Sequence, residues 1–130
     1  MNYYYKKQTA LSFTDAIEKT KEVLASEGFG ILTEINVKTT LKKKLNQEYG
    51  NYVILGACNP VLAFEALTAE KDIGVLLPCN VLVYEDEGVV WVSAIVPSVA
   101  MGFVENPLLA PIAEQVDAKL RSVVETLSVS

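Results

Sequence analysis

The chain has 130 residues, 51% of them hydrophobic and 21% charged, which is the composition of one folded domain with its own core and excludes a disordered segment. A net charge of −5 opposes nucleic acid and anionic membranes as partners, because both require a basic surface. The chain contains no histidine, which removes Ser-His-Asp and Cys-His catalysis, imidazole metal ligation and the usual near-neutral proton shuttle.

Residues 2–9, with Tyr3, Tyr4 and Tyr5 ahead of alternating lysines, read as a first strand. Ser12 then caps a helix, with Asp15 three positions later as in a capping box. Phe13, Ala16, Ile17, Thr20, Val23 and Leu24 recur at helical spacing, and Gly28 occupies the residue just past the end. Gly30 to Ile35 forms a second strand. Asn36 caps a short helix with Val37, Leu41 and Leu45 as its stripe, and Lys42, Lys43 and Lys44 suit the negative end of its dipole.

Tyr52 to Cys58 is an apolar third strand. Asn59 and Pro60, favoured N-cap and first-turn residues, open another short helix in which Phe64 and Leu67 are expected to face inward. Asp72-Ile73-Gly74 is read as a turn into Val75–Tyr84, the longest expected strand. Glu85-Asp86-Glu87-Gly88 closes a hairpin with Val89–Val96. Pro97 ends that strand, 98–106 is expected as loop, and a last helix spans about 108–127. That helix carries Ile112, Val116, Leu120, Val123 and Leu127 on one face, with Pro111 in its first turn.

The order predicts an α+β fold: a mostly antiparallel sheet with the main helices on one face. Strands 52–58, 75–83 and 89–96 do not alternate apolar with polar residues, so the helix-free face is expected to be a homodimer interface. No linker or repeat divides residues 1–130, which form a single domain. No apolar run is long enough for a membrane span, and the N-terminal residues lack the apolar core of a secretory signal. A cytoplasmic setting is therefore expected, with Cys58 and Cys79 reduced.

The distinctive chemistry lies in two segments, Ala57-Cys58-Asn59-Pro60 and Leu77-Pro78-Cys79-Asn80. Cys58 falls at a strand end beside a helix N-terminus, where oriented N–H groups and the dipole favour thiolate, so it is the best catalytic candidate. Its alternative role is that of a small buried hydrophobe. Cys79 sits behind a proline, and its place on the strand face with Leu77 and Val81 also suits core packing. If the two strands are neighbours, the Cys58–Asn59 and Cys79–Asn80 units line one ligand site. Lys44, at the end of the only basic cluster, and Glu34, in an otherwise apolar strand, complete the candidate ligand-binding set. The 21-residue Cys spacing is no zinc or iron–sulfur signature, so no metal and no cofactor is assigned. The glycines form no phosphate-loop or dinucleotide fingerprint.

These segments resemble the domain-of-unknown-function 302 family. The resemblance runs through Gly28-Phe29-Gly30-Ile31-Leu32-Thr33-Glu34-Ile35, Thr40-Leu41-Lys42-Lys43-Lys44-Leu45 and Ile54-Leu55-Gly56-Ala57-Cys58-Asn59-Pro60. It continues through Ile73 to Val81 and reaches Met101, Asn106-Pro107 and Lys119-Leu120-Arg121. It implies a β-α-β4-α fold and a dimer, with no established activity. A local departure is Ser93-Ala94-Ile95-Val96-Pro97, where many relatives carry an aromatic-acidic segment. Three functional readings follow: a dimeric binder of a small molecule or ion at a thiol-lined site, a cysteine-dependent enzyme of sulfur or redox metabolism, and a structural or regulatory dimer without a site.

Overall fold

A computed structural model describes residues 2–130. Five strands, β1 (Tyr4–Thr9), β2 (Gly30–Asn36), β3 (Tyr52–Cys58), β4 (Cys79–Asp86) and β5 (Val89–Ile95), form one antiparallel sheet in the order β1-β5-β4-β3-β2. The helices are α1 (Phe13–Ser26), α2 (Val37–Leu45), α3 (Pro60–Ala69), the short α4 (Pro97–Ala100) and α5 (Leu109–Ser128). The α+β arrangement expected from the sequence is the one observed.

Local sequence explains most boundaries. Ser12 Oγ accepts the Asp15 N–H at 3.1 Å and starts α1, while Gly28, at φ +88°, supplies the left-handed turn that ends it. Asn36 Oδ1 accepts the Thr39 N–H at 3.0 Å to cap α2. Glu87 and Gly88, both at positive φ, close the β4–β5 hairpin after the Asp86–Val89 pair.

Strand alternation sends Val53, Leu55, Ala57, Val81, Val83, Val90, Val92 and Ala94 to one side, all buried. There Ala57, Val81, Val83, Val90, Val92 and Ala94 meet Ala16 and Leu24 of α1 and Leu120, Val123, Val124 and Leu127 of α5. The opposite side carries Tyr52, Ile54, Leu82, Tyr84 and Trp91, partly covered by one another. Tyr52 and Tyr84 stack at 5.3 Å between ring centroids, and the Lys6 ammonium sits 4.6 Å from the Trp91 ring centre.

Three expectations are corrected. The long strand Val75–Tyr84 is instead a 3-10 turn, Lys71–Leu76, followed by β4 from Cys79. Pro78 has no N–H for a ladder, so pairing begins after it and not around it. Phe64 does not face inward: it is 72% exposed, as Leu67 is 43%, and Leu62 and Ala66 are the buried residues of α3. That helix carries apolar residues around most of its circumference, so its spacing defines no unique inner face. The start of the 98–106 segment is helical, forming α4 with the preceding Pro97 as its first residue. The α2 stripe of Val37, Leu41 and Leu45 buries no residue. Among the described residues, no helix is long and apolar enough to cross a membrane.

Candidate functional site

Strand β3 ends at Cys58, Asn59 caps α3 and Pro60 is its first residue. Across the sheet, Ala57 of β3 pairs with Cys79, the first residue of β4. Cys58 therefore lies one residue beyond the partner of Cys79, at the same end of the sheet. Both thiols are free; Cys58 is half-buried and Cys79 is buried.

Cys58 and Cys79 are among the residues lining a partly open cavity of about 360 Å³ between the sheet end, α3, the Gly74–Pro78 segment, Met101 and the first half of α5. Leu62, Ala66, Met101, Ile112 and Ala113 provide much of its wall. The lining among the described residues contains no charged side chain, and its one polar amide is Asn59. Pockets that hold small molecules span roughly 300–1,000 Å³, so the volume is of ligand size.

Two close approaches shape this end of the sheet. A Cβ added to Gly56 would stand 2.2 Å from Thr33 Oγ1 and 2.9 Å from Pro78 Cγ, so glycine is what lets β2 and the Pro78 ring close on β3. Asn106 Nδ2 donates to the Ala69 carbonyl at 2.8 Å and to Glu70 Oε1 at 3.1 Å. That side chain ties the end of α3 to the segment leading into α5, and so holds two cavity walls together.

Burial pushes the Cys79 thiol up to about 11, with the nearby Cys58 thiol and the Asp117 carboxylate acting in the same direction. Cys79 is therefore a neutral thiol at physiological pH and a poor nucleophile. Asp117 is held on α5, where its Oδ1 accepts the Ser98 N–H at 3.1 Å.

The candidate residues divide into two groups. Cys58, Asn59 and Cys79 converge on the cavity. Asn59 also has structural work: its Oδ1 accepts the Leu62 N–H at 3.2 Å, and its Nδ2 donates to the Glu27 carbonyl at 3.5 Å. Asn80 pairs opposite Gly56, one residue along the strand from Cys79, and is exposed away from the cavity. Glu34 forms an ion pair with Lys21 of α1 at 2.7 Å. Lys44 is exposed on α2, outside the cavity wall. No cluster of three or more Cys, Asp or Glu placed to hold a metal occurs among the described residues.

The walls contributed by Met101, Leu109 and Ala113 were not among the sequence candidates. Their only local signal is the small residue Ala113 beside the large apolar stripe of the last helix. Ala66 gives the same signal on α3.

Comparison with known proteins agrees with this architecture. The sequence matches the family described as "Domain of unknown function DUF302" over residues 5–127. A crystal structure of an uncharacterized conserved protein DUF302 from Bacillus stearothermophilus superposes with a TM-score of 0.92. It shares 28% sequence identity, over 98% of this chain and 99% of that one. No curated protein matches. The chain belongs to the DUF302 family.

Proposed function

We propose that this member of the DUF302 family is a cytoplasmic homodimer that binds a neutral, apolar small molecule in the cavity beside Cys58 and Cys79. The observation that carries the reading is the cavity itself: about 360 Å³, apolar-walled, with both cysteines among its lining residues. With no charged lining residue to match it, an ion or carboxylate entering the cavity would lose hydration without compensation. A hydrocarbon or aromatic ligand meets no such penalty, and sulfur is a favourable neighbour for an aromatic ring.

The dimer is supported by apolar surface on and near the helix-free side of the sheet. Ile35 of β2 is 45% exposed, and Ile54, Leu82 and Trp91 are only half-buried. Two free cysteines in a protein of this size suit a reducing compartment. The net charge of −5 supports neither nucleic acid nor anionic membrane as partner. The competing reading, a cysteine-dependent enzyme, has Cys58 in place but no carboxylate or amine in the cavity lining to act with it.

The direct test is displacement of the neutral fluorophore N-phenyl-1-naphthylamine by 1-octanol, with the protein's mass followed by sedimentation equilibrium. Saturable displacement at one octanol per chain, from a species of twice the chain mass, is the expected result. Fluorophore binding that octanol does not reverse rejects the ligand site, and a monomer rejects the dimer.

A further inference from the structure

We propose that the helix-free sheet face joins a second copy of this chain about a two-fold axis along β4, so that the basic helix α2 of each copy lies against the acidic β4–β5 hairpin of the other. The inference rests on the dimer reading and adds to it the arrangement of the two copies and the residues that set it.

The strand register maps the face. Lys6, Ser93, Leu82, Ile54 and Ile35 stand abreast on it, one from each strand in the order β1-β5-β4-β3-β2. Two sheets packed face to face with aligned strands admit an in-plane two-fold axis either along the strands or across them. An axis along β4, the middle strand, returns each row to its own height and exchanges its ends. Leu82 then meets the partner's Leu82, Ile54 meets the partner's Ser93 and Ile35 meets the partner's Lys6. These contacts match in shape: Ser93 is small and only 4% exposed, a low point that receives the larger Ile54. The Lys6 stem is an apolar cover for Ile35.

Charge decides between the two axes. Helix α2 starts directly after Asn36, which pairs with Val53, and the β4–β5 hairpin closes just past the Tyr52–Tyr84 pair, so both lie at one end of the sheet. Lys38, Lys43 and Lys44 of α2 are exposed, as are Asp86 and Glu87 of the hairpin. None of these five forms an ion pair among the described residues, whereas Lys42 is taken by Glu48 at 2.7 Å. An axis across the strands carries the partner's α2 to the far end, away from the hairpin. An axis along β4 keeps the ends together and brings α2, beyond β2 and β3, to the partner's β5 and β4. The free cations of one copy thus meet the free anions of the other, twice per dimer. Helix α2 has apolar surface to cover as well, since none of its residues is buried and Leu45 is 64% exposed.

The test is sedimentation equilibrium at low salt on the intact protein and three variants: Lys38→Glu with Lys43→Glu and Lys44→Glu, Asp86→Lys with Glu87→Lys, and all five substitutions together. Each charge-reversed set should raise the dimer dissociation constant at least about tenfold, because repulsion replaces attraction at both ends of the axis. The combination restores opposite signs and should return the constant to within about threefold of wild type. Carbodiimide coupling of mixed nitrogen-15-labelled and unlabelled copies should give isotope-hybrid peptides that join an α2 lysine to Asp86 or Glu87. A dimer that neither set weakens, a combination no tighter than the single sets, or hybrid links found only elsewhere overturns this arrangement and leaves the dimer reading standing. A wild-type monomer ends both.

Discussion

Replacing Ala113 by leucine distinguishes a ligand-sized void from an ordinary packed core by the sign of one number. Ala113 is 5% exposed on α5, and its side chain borders the cavity. Leucine adds three carbons, each worth about 0.8 kcal/mol when buried, for a gross gain of about 2.4 kcal/mol. Fixing the longer side chain removes about 0.5–1 kcal/mol of rotamer freedom. The net expectation is a stabilisation of about 1–2 kcal/mol, because the new carbons enter existing space. In a filled core the same change forces neighbours off their rotamers and destabilises by about 1–3 kcal/mol. Urea unfolding followed by circular dichroism resolves the two, since a slope of about 1–3 kcal/mol/M turns the gain into a midpoint rise of about 0.3–2 M. The same variant should weaken octanol binding, since the new carbons take part of its space. A lowered midpoint with an unchanged slope refutes the reasoning.

Other expectations address neighbouring features. Gly56→Ala should destabilise by about 1–3 kcal/mol in urea unfolding, because the new Cβ meets Thr33 and the Pro78 ring. Adding Thr33→Ala should recover part of that loss, since the closer of the two clashing side chains is removed; a neutral single substitution would contradict the packing described. The Cys79 thiol stays protonated in the folded state up to about 11 against an ordinary value of 9.0, so the unfolded chain binds fewer protons between those values. Stability should therefore be full below pH 9 and fall as pH approaches 11. The loss is about 2–3 kcal/mol, from two pKa units at about 1.4 kcal/mol each. Comparing the urea midpoints of wild type and Cys79→Ala over that range isolates the effect, and parallel curves would exclude it. Glu34→Gln, which breaks a partly exposed pair with Lys21, should change stability by no more than about 1 kcal/mol and leave octanol binding intact.

Much of the fold was legible because its signals are local. The Ser12 and Asn59 caps, the Gly28 terminus and the Glu87-Gly88 turn each depend on residues within a few positions. The errors arose where the local signal was degenerate. Helix α3 carries apolar residues around most of its circumference, so spacing pointed to Phe64 and Leu67, whereas the packing buries Leu62 and Ala66. Val75, Leu76 and Leu77 carry strand-like side chains, yet Gly74 and Pro78 bracket them and the backbone turns.

The site divides along the same line. That Cys58 ends a strand beside a helix N-terminus follows from the Asn-Pro pair after it. That Cys79 starts β4 at the same sheet end follows only from β3 pairing with β4, in which Ala57 stands opposite it. The exposure of Asn80 follows from the same register, which turns adjacent residues to opposite faces. Met101 and Ala113 reach the cavity through tertiary packing that no spacing in the sequence encodes.

The cavity's role is tested most directly at Met101, whose side chain lines the wall. The chain has two methionines, so labelling the methionine methyl groups with carbon-13 leaves the Met101 signal readily assigned by substitution. Titration with 1-octanol should shift that resonance saturably, reaching its limit at one molecule per chain, and Ala113→Leu should move the titration to higher octanol concentration. A Met101 methyl that stays fixed while octanol binds elsewhere would contradict the assignment of this cavity as the binding site.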